Sequence, residues 1–410
     1  MSTHCAFSQR KKHIMTKSEW GLIALLGTAF LISRYDFALM SLALPDIQKD
    51  LGIAEQDLGE FVGYTRLGAL AALPLALLAD VDGRRRLLLV TIAGFTACTV
   101  GTAFAQTPEQ FIILQTTARA FTSADEILSA IMVLEMVTTA RRGIAIGILA
   151  AFGGLGDGLA SAAYPLSTYF ENGWRTLYLL AAIPILPLIY ARRFLKESVK
   201  FTAAQTSGLN LLAAGRQMLQ DKKRMAAVIA LAIAYHLPIS ASLAFMSKYL
   251  QDSCSYSSSN VALLFLIGGS IALTGNLFGG FLTDKVGRRI GFAFFSTMLC
   301  AGFYGFYGAS CQVAPYAWVI ALTGVFATHA IFLTITGELF PTIGRVTMSS
   351  ISQAFAAMAL VAGLFLESQL YVLLGSHATA ITYLLPSFLI AAFVALTLVP
   401  ETGSKELTEV

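Results

Sequence analysis

A short charged pattern occurs twice in this chain, once in each half. The pattern reads Asp-x-x-Gly-Arg-Arg, and its copies begin at Asp80 and at Asp284. Further residues repeat with nearly the same separation: Glu135 and Glu338, Arg142 and Arg345, and Glu197 and Glu401. Matched positions of this kind indicate an internal repeat. The chain is therefore expected to fold as two similar units.

The composition places both units in a membrane. Hydrophobic residues make up 56% of the chain and charged residues 13%, with a mean hydropathy of +0.70, whereas soluble domains carry roughly 25% charged residues. About twelve apolar runs are each long enough to cross a bilayer, which takes about 20 residues. They lie near residues 20–44, 58–79, 87–105, 110–135, 144–165, 174–191, 225–250, 259–282, 290–311, 315–337, 346–372 and 377–399.

Each run is predicted to be a helix, because a backbone in lipid must satisfy its own hydrogen bonds. The alternation of a barrel strand is absent. The first run is too long for a signal peptide and lacks a clear cleavage site. The predicted fold class is an all-α membrane protein with twelve transmembrane helices in two pseudo-symmetric six-helix halves. Duplicated hydrophobic halves are typical of secondary transporters, whose substrate site lies where the halves meet.

The distribution of positive charge predicts the orientation. Most of the 28 lysines and arginines lie on the side of the membrane that holds both termini, and such a side is normally cytoplasmic. We expect a multi-pass protein of the plasma membrane, or of the cell inner membrane if the source is bacterial. The predicted segments are a cytoplasmic N-terminal segment (1–19), an N-terminal half (20–195), a cytoplasmic linker (196–223), a C-terminal half (224–400) and a cytoplasmic tail (401–410).

Two cysteines, Cys254 and Cys311, fall near the predicted outer face. A disulfide is compatible with the sequence, but we expect free thiols because spacing alone cannot establish a bridge. The sequence contains no Gly-rich phosphate loop, no metal-ligand cluster and no nucleophile–base spacing. We therefore expect no cofactor, no metal and no enzymatic activity. The net charge of +4 follows mostly from topology and needs no nucleic-acid partner.

The repeated pattern resembles the signature of the major facilitator superfamily between the second and third helices of each half. The second copy is preceded by Gly280, as is usual in the family, whereas the first has Ala76 at that place. Three further motifs are similar to the sugar-porter-like branch and its relatives, which include metabolite–proton symporters and organic-ion transporters. These motifs are Tyr35-Asp36, Trp174-Arg175 and Pro400-Glu401-Thr402-Gly403. The seventh helix lacks the glutamine-rich signature of true sugar porters, which argues against a hexose.

The resemblance implies alternating access, with a charged latch on the cytoplasmic side. Acids at helix ends and arginines at the membrane surface can pair with each other and with neighbouring helix ends. The alternative is that these arginines only set topology. The predicted latch residues are Asp80, Gly83, Arg84, Arg85, Glu135, Arg142, Asp284, Gly287, Arg288, Arg289, Glu338 and Arg345.

The resemblance also implies that the first, fourth, seventh and tenth helices line a central cavity. Charged groups are costly in a bilayer, so those within these helices are candidates for function. In proton-coupled relatives an acid and an arginine of the first and fourth helices form the coupling pair, and the resemblance gives this role to Asp36 and Arg119. The alternative is a permanent structural ion pair. The predicted substrate-binding residues are Glu126, Asp125, His236, His329 and Tyr35.

Helix geometry refines these expectations. Asp125 and Glu126 are turned about 100° from each other, so at least one should face the cavity. Arg119, Glu126 and His236 are expected to border one central space, with Asp36 near its outer part.

Three more charged residues lie within the predicted helices. Arg66 and Asp157 are candidates for a charge interaction across helices. Arg34 is turned roughly 200° from Asp36 and is expected to face elsewhere.

The predicted function is proton-coupled symport of a small polar or charged organic metabolite by alternating access. The acids outnumber the arginines among the cavity candidates, which favours a cationic or zwitterionic substrate. A proton-driven efflux antiporter for organic ions or drugs is the closest alternative, and a transporter-like receptor without net flux is an alternative of a different class. The expected partners are the small-molecule substrate, protons and the lipid bilayer, with a monomer sufficient for function.

Overall fold

The computed structural model describes residues 16–71, 74–75, 83–137, 142–170, 173–195, 222–339 and 342–401. Over these ranges the regular structure is helical, without strands. Predictions on Asp80, on most of the linker and on the tail beyond Glu401 lie outside the described residues. The same holds for the side chains of Glu135, Arg142, Asp284, Glu338 and Arg345, whose backbones alone are described.

The described residues of the N-terminal half form eight α-helices. They are α1 (Lys17–Leu42), α2 (Leu44–Leu51), α3 (Leu58–Arg66), α4 (Arg84–Ala103), α5 (Pro108–Met136), α6 (Arg142–Ala163), α7 (Gly173–Ala182) and α8 (Ile185–Arg192). A 3-10 turn at Leu67–Ala71 continues α3, and another at Tyr164–Tyr169 continues α6. Helix α1 begins with a capping box, in which Thr16 and Glu19 satisfy each other's backbone amides.

In the part of the C-terminal half that the structure describes there are seven α-helices of eight residues or more. They are α9 (Lys222–Ala244), α10 (Ser258–Val286), α11 (Arg288–Gly308), α12 (Ala314–Glu338), α13 (Thr342–Leu374), α14 (His377–Leu384) and α15 (Pro386–Thr397). A helical turn at Met246–Lys248 and a π-helical turn at Tyr249–Ser253 follow α9.

The two halves repeat unusual local features. Gly83 before α4 and Gly287 before α11 both have φ of 95°, a backbone conformation that side chains disfavour. The last crossing of each half is broken in two at a proline, Pro184 before α8 and Pro386 at the start of α15. These correspondences confirm the internal repeat that the sequence predicts.

The helices account for the twelve predicted crossings. Within the described ranges, nine segments are long and apolar enough to span a membrane. The other three crossings are α3, α5 and α10. Helix α5 differs from the nine segments in its charge, since Arg119, Asp125 and Glu126 lie close together within it. The predicted all-α architecture of two six-helix halves is therefore confirmed.

Glycines allow close packing between helices of the same half. A Cβ atom added at Gly156 of α6 would overlap the carbonyl oxygen of Leu31 in α1, and one at Gly363 of α13 would overlap that of Leu237 in α9. Across the halves, α3 packs against α13 and α6 against α10. The backbone contacts make each half a tightly packed unit, and the interface between the halves lies along these two helix pairs.

Cys254 and Cys311 form a disulfide, with their Cα atoms 5.5 Å apart. The expectation of free thiols is therefore wrong. The π-helical turn before Cys254 and the turn between α11 and α12 meet at one end of the bundle, which sequence spacing does not reveal. We call this end of the bundle the disulfide face, and the opposite end, at Gly83 and Gly287, the motif face.

Candidate functional site

A small cavity within the N-terminal half brings together the two predicted proton-coupling residues. Asp36 of α1 and Arg119 of α5 line it together with Arg66 of α3. Thr99 donates a hydrogen bond of 3.4 Å to the carboxylate of Asp36. Asp36 forms no ion pair with either arginine among the described residues. The structure thus places the acid and the arginines side by side without the permanent salt bridge that was the alternative.

Three guanidinium groups lie against the ring of Phe37. The guanidinium carbons of Arg66, Arg119 and Arg34 lie 3.7, 4.6 and 5.0 Å from the ring centroid, within the range of cation–π attraction. The Nε atoms of Arg66 and Arg119 are buried without a hydrogen-bond partner. Two arginines are therefore held on an aromatic ring with donors available.

A larger cavity of about 190 Å³ lies between the two halves. Its walls come from α1 and α6 on one side and from α9, α10 and α12 on the other. Arg34 and Asp157 border it and form an ion pair of 2.8 Å. Phe37 borders both this cavity and the small one beside Asp36. One phenyl ring therefore separates the central cavity from the buried acid.

Four residues outside the original site predictions border this site: Arg34, Arg66, Asp157 and Phe37. Arg34 and Asp157 pair with each other, so the suggested pairing of Arg66 with Asp157 is wrong. Arg34 faces away from Asp36, as expected, yet it borders the central cavity. The signal that could have identified all three charged residues is their position in apolar helices; Phe37 gives no such signal.

Asp125 and Glu126 take different roles. Arg192 of α8 binds Asp125 through both guanidinium Nη atoms, the longer contact being 2.9 Å. Thr91 donates a further hydrogen bond of 2.8 Å to the same carboxylate. Glu126 instead accepts a hydrogen bond of 2.7 Å from Ser33 of α1 and is only partly buried. Of the two acids, Asp125 joins α5 to α8, and we leave it out of the proposed site.

Tyr35 also lies away from the cavity. Its hydroxyl donates to the carbonyl oxygen of Leu177 in α7 at 3.3 Å, and the residue is buried within the N-terminal half. We leave Tyr35 out of the proposed site as well.

The two predicted histidines lie together in the C-terminal half. His236 is buried, its Nδ1 is 2.9 Å from the carbonyl oxygen of Ala232, and its ring centroid is 6.1 Å from that of His329. His329 is exposed, and Arg34 is near enough to act on it electrostatically. His329 thus faces the N-terminal half, whereas His236 is packed behind it. Of the three residues expected to share one central space, Arg119 lines the small cavity, whereas Glu126 and His236 line neither of the two cavities described above.

The disulfide face is closed by hydrogen bonds between the halves. Lys248 binds Gln48 at 2.7 Å and Glu55 at 2.9 Å. Ser247 donates to the carbonyl oxygen of Leu42 at 2.7 Å, and Ser368 donates to that of Gln56 at 2.7 Å. These contacts hold the two halves together at the disulfide face in the present conformation.

At the motif face, Glu401, which the internal repeat matches with Glu197, contacts the second copy of the charged pattern. Glu401 accepts hydrogen bonds of 2.8 and 3.3 Å from the backbone amides of Arg288 and Arg289 at the start of α11. Arg289 also donates to the carbonyl oxygen of Ala395 at 3.2 Å. An acid at a helix N-terminus is favourable, so Glu401 ties α11 to the end of the chain.

Comparison with known proteins identifies the family. A family model described as the Major Facilitator Superfamily matches residues 26–327. The chain belongs to this superfamily. Among solved structures, this major facilitator protein is similar to a partially occluded, inward-open conformation of the xylose transporter XylE from E. coli. The TM-score is 0.77 and the identity 17%, over 95% of this chain and 100% of the other. At this identity the likeness concerns the fold alone.

Two relatives of this major facilitator protein have curated names. A gallate transporter of Pseudomonas putida is 26% identical over 202 residues, which are 48% of this chain and 44% of that protein. A cis,cis-muconate transport protein of Acinetobacter baylyi is 24% identical over 359 residues, 83% of this chain and 85% of that protein. The chain thus spans less than half the length of the first relative and most of the second. Both are named as transporters, in agreement with the expectation that this chain is not an enzyme.

Proposed function

We propose that this protein is a proton-coupled symporter of a small organic carboxylate, with an unsaturated or aromatic carbon skeleton. The observation that carries the proposal is the pair of arginines, buried Arg66 and half-buried Arg119, held on the ring of Phe37 beside Asp36. A guanidinium group offers a planar fork of donors that matches a carboxylate. The names of the gallate and muconate relatives support the same class of substrate.

Charge balance supplies the coupling. The cluster contains three arginines, at positions 34, 66 and 119, and three acids, at positions 36, 126 and 157. When all are ionised the charges cancel. A proton taken up by Asp36 leaves one positive charge in excess, and an incoming carboxylate neutralises it. Proton and anion therefore favour each other's binding, which is the requirement for symport.

The arginines favour a substrate charge opposite to the sequence expectation. That expectation counted Asp125 among the cavity acids and did not count Arg34 or Arg66. With Asp125 bound to Arg192, the remaining site has as many arginines as acids, and it carries one positive charge in excess once Asp36 has taken up a proton. We therefore favour an anion over a cationic or zwitterionic substrate.

We infer that the disulfide face lies on the outside of the cell membrane. Disulfides persist in oxidising compartments, and the basic motif face fits the cytoplasm. We infer that the structure is an outward-closed state, in which the substrate would be released toward the cytoplasm.

The test is transport into proteoliposomes with cis,cis-muconate as the probe, because a dianion crosses lipid slowly without a carrier. With the lumen one pH unit more alkaline than the outside, an uptake of one proton per net charge should accumulate the probe about tenfold or more. Protein-free liposomes control for leakage, and choline tests a cationic substrate. Accumulation of choline, or no accumulation of cis,cis-muconate when the lumen is the more alkaline side, would overturn the proposal.

A further inference from the structure

A histidine bridges the two halves at the disulfide face. His377 is the first residue of α14, and its Nδ1 lies 2.7 Å from Oε1 of Glu367 in α13. Its Nε2 lies 3.1 Å from Oε2 of Glu55, in the turn before α3. His377 and Glu367 belong to the C-terminal half and Glu55 to the N-terminal half. The imidazole therefore carries one of the contacts that close this face.

The two contacts together require two protons. A neutral imidazole has one N–H group, so with both carboxylates ionised one ring nitrogen would face a carboxylate oxygen with a lone pair. Both contacts become hydrogen bonds when one more proton is present. That proton can reside on the imidazole or on Glu367, and the geometry is satisfied in either case. The closed arrangement thus holds one proton more than neutral His377 with two carboxylates.

The surroundings fix the ring and favour a positive charge on it. Phe245 stacks on His377 with centroids 4.4 Å apart, and Tyr371 stacks with centroids 4.2 Å apart, at interplanar angles of 24° and 21°. The faces of aromatic rings attract cations. The imidazole is therefore held in one orientation, with its nitrogens directed at the two acids.

Closure of this face deprives Glu367 of water. Its side chain is fully buried, and its Oε2 has no hydrogen-bond partner. Gly59 of α3 packs directly against this oxygen, since an added Cβ atom would overlap it. A buried carboxylate with one oxygen that accepts no hydrogen bond is destabilising unless the group shares a proton or has a counter-charge. Separation of α3 from α13 would return water to it.

Other ionisable groups around His377 come from every element packed against it. They are Lys248, Tyr249 and Asp252 after α9, Tyr307 of α11, and Tyr371 of α13. Burial raises the pKa of Glu55, but hydrogen bonds from Lys248, Gln48 and His377 outweigh it and hold that pKa below the ordinary value of 4.5. Glu55 is thus ionised at neutral pH, where it stays paired with Lys248.

We propose that His377 and Glu367 form a proton-binding site between the halves, and that proton binding there holds the disulfide face closed. The proposal rests on alternating access between two halves and is independent of any role of Asp36. The site would release its proton when the face opens, because Glu55 then moves away and water reaches Glu367.

The direction of the pH effect follows from the proton count. The closed state binds one more proton than the open state, so acid favours closure and base favours opening. As the pH rises and the site loses its proton, the ratio of closed to open molecules should fall by up to about tenfold per pH unit. Glu55 has the opposite effect, because its pKa is lowered in the closed state and its contacts favour the ionised form. Closure therefore weakens again in acid strong enough to protonate Glu55, below its ordinary pKa.

The experiment measures the distance between the halves by pulsed electron resonance. Spin labels are attached at Gln106→Cys and Ser259→Cys, two exposed positions at the disulfide face. Cys5, Cys98 and Cys300 are replaced by serine, and the native disulfide is kept. In lipid nanodiscs the short-distance population should grow from pH 8 to pH 5.5. No change, or growth in the opposite direction, would overturn the proposal.

Variants separate a proton site from a merely structural contact. Glu367→Gln should stay closed at every pH, because the amide donates to Nδ1 of neutral His377 and leaves its Nε2–H for Glu55. His377→Phe keeps the aromatic stack but loses both hydrogen bonds, and should stay open. Asp252→Asn is the matched control; Asp252 binds Lys248 within one half, so the normal pH response should remain.

Three outcomes contradict the assignment: a normal pH response in Glu367→Gln, a normal response in His377→Phe, or loss of the response in Asp252→Asn. Asp36→Asn distinguishes this site from the coupling site. It should retain the pH-dependent distance while it loses proton-driven accumulation. Loss of the distance response in Asp36→Asn would assign the proton to Asp36 and overturn the present proposal.

Discussion

At the scale of single residues, Phe37 lies between the central cavity and the small cavity of the N-terminal half. It borders both the central cavity and the space beside Asp36. A substrate that reaches Arg66 and Arg119 from the central cavity must displace this ring or bind against it.

Phe37→Ala should weaken binding of cis,cis-muconate by about tenfold, because the platform for the arginines is lost and a desolvated cation–π contact contributes about 1–2 kcal/mol. Phe37→Tyr, which keeps the ring, is the matched control and should bind within about twofold of the unchanged protein. Thermal stabilisation of the purified protein by the probe measures both. Equal affinity in Phe37→Ala would show that the carboxylate does not reach this ring.

Asp36→Asn tests the coupling role directly. Asparagine keeps the size of the side chain but cannot be ionised, so accumulation driven by a pH gradient should fall to the level of equilibration. Exchange of labelled for unlabelled cis,cis-muconate, which needs no net proton movement, should persist. Full accumulation with an unchanged pH dependence would remove Asp36 from the coupling mechanism.

Sequence reasoning finds Asp36 and Arg119 because a charge inside an apolar helix is conspicuous. Helical periodicity shows which residues share a face, but not which neighbour that face meets. Arg34 illustrates the limit, since it faces away from Asp36 and thereby meets Asp157 of α6. Asp125 illustrates the same limit. Its partner, Arg192, lies at the end of α8, and no local pattern in the sequence shows that these two residues meet.

At the scale of helices, small residues decide how closely neighbours approach. Helix α6 is rich in glycine, which permits close packing of helices, and Gly156 lies directly against the backbone of Leu31. Which glycine of the group makes the contact depends on the rotation of α6 about its axis, and the sequence does not contain that information.

Gly156→Ala should lower the thermal unfolding temperature, because the added methyl group meets the backbone of α1 and overpacking costs about 1–3 kcal/mol. Gly147→Ala is the matched control on the same helix, since nothing lies within 4 Å of a Cβ atom there. The control should leave stability unchanged or raise it, because alanine favours the helix. Fluorescence-detected unfolding of both proteins in the same detergent measures the difference. Similar transitions in the two variants would contradict the packing role of Gly156.

At the scale of the whole molecule, the repeat and the composition determine the class of fold. Two charged patterns in register predict two halves, and apolar runs predict helices, since lipid leaves few other structures. The disulfide and the contacts of His377 involve residues far apart in the chain. They depend on how the halves meet, and no local pattern predicts them.

The redox state of Cys254 and Cys311 should also report the orientation in which each chain was inserted into the membrane. A chain inserted with the disulfide face toward the cytoplasm would keep Cys254 and Cys311 as reduced thiols. Mass tagging of thiols in whole cells, before and after reduction, should therefore report the fraction of molecules inserted correctly. Moving basic residues from the motif face to the other end should lower that fraction. Equal thiol counts before and after reduction, in cells that carry active protein, would mean that the bridge does not form in the membrane.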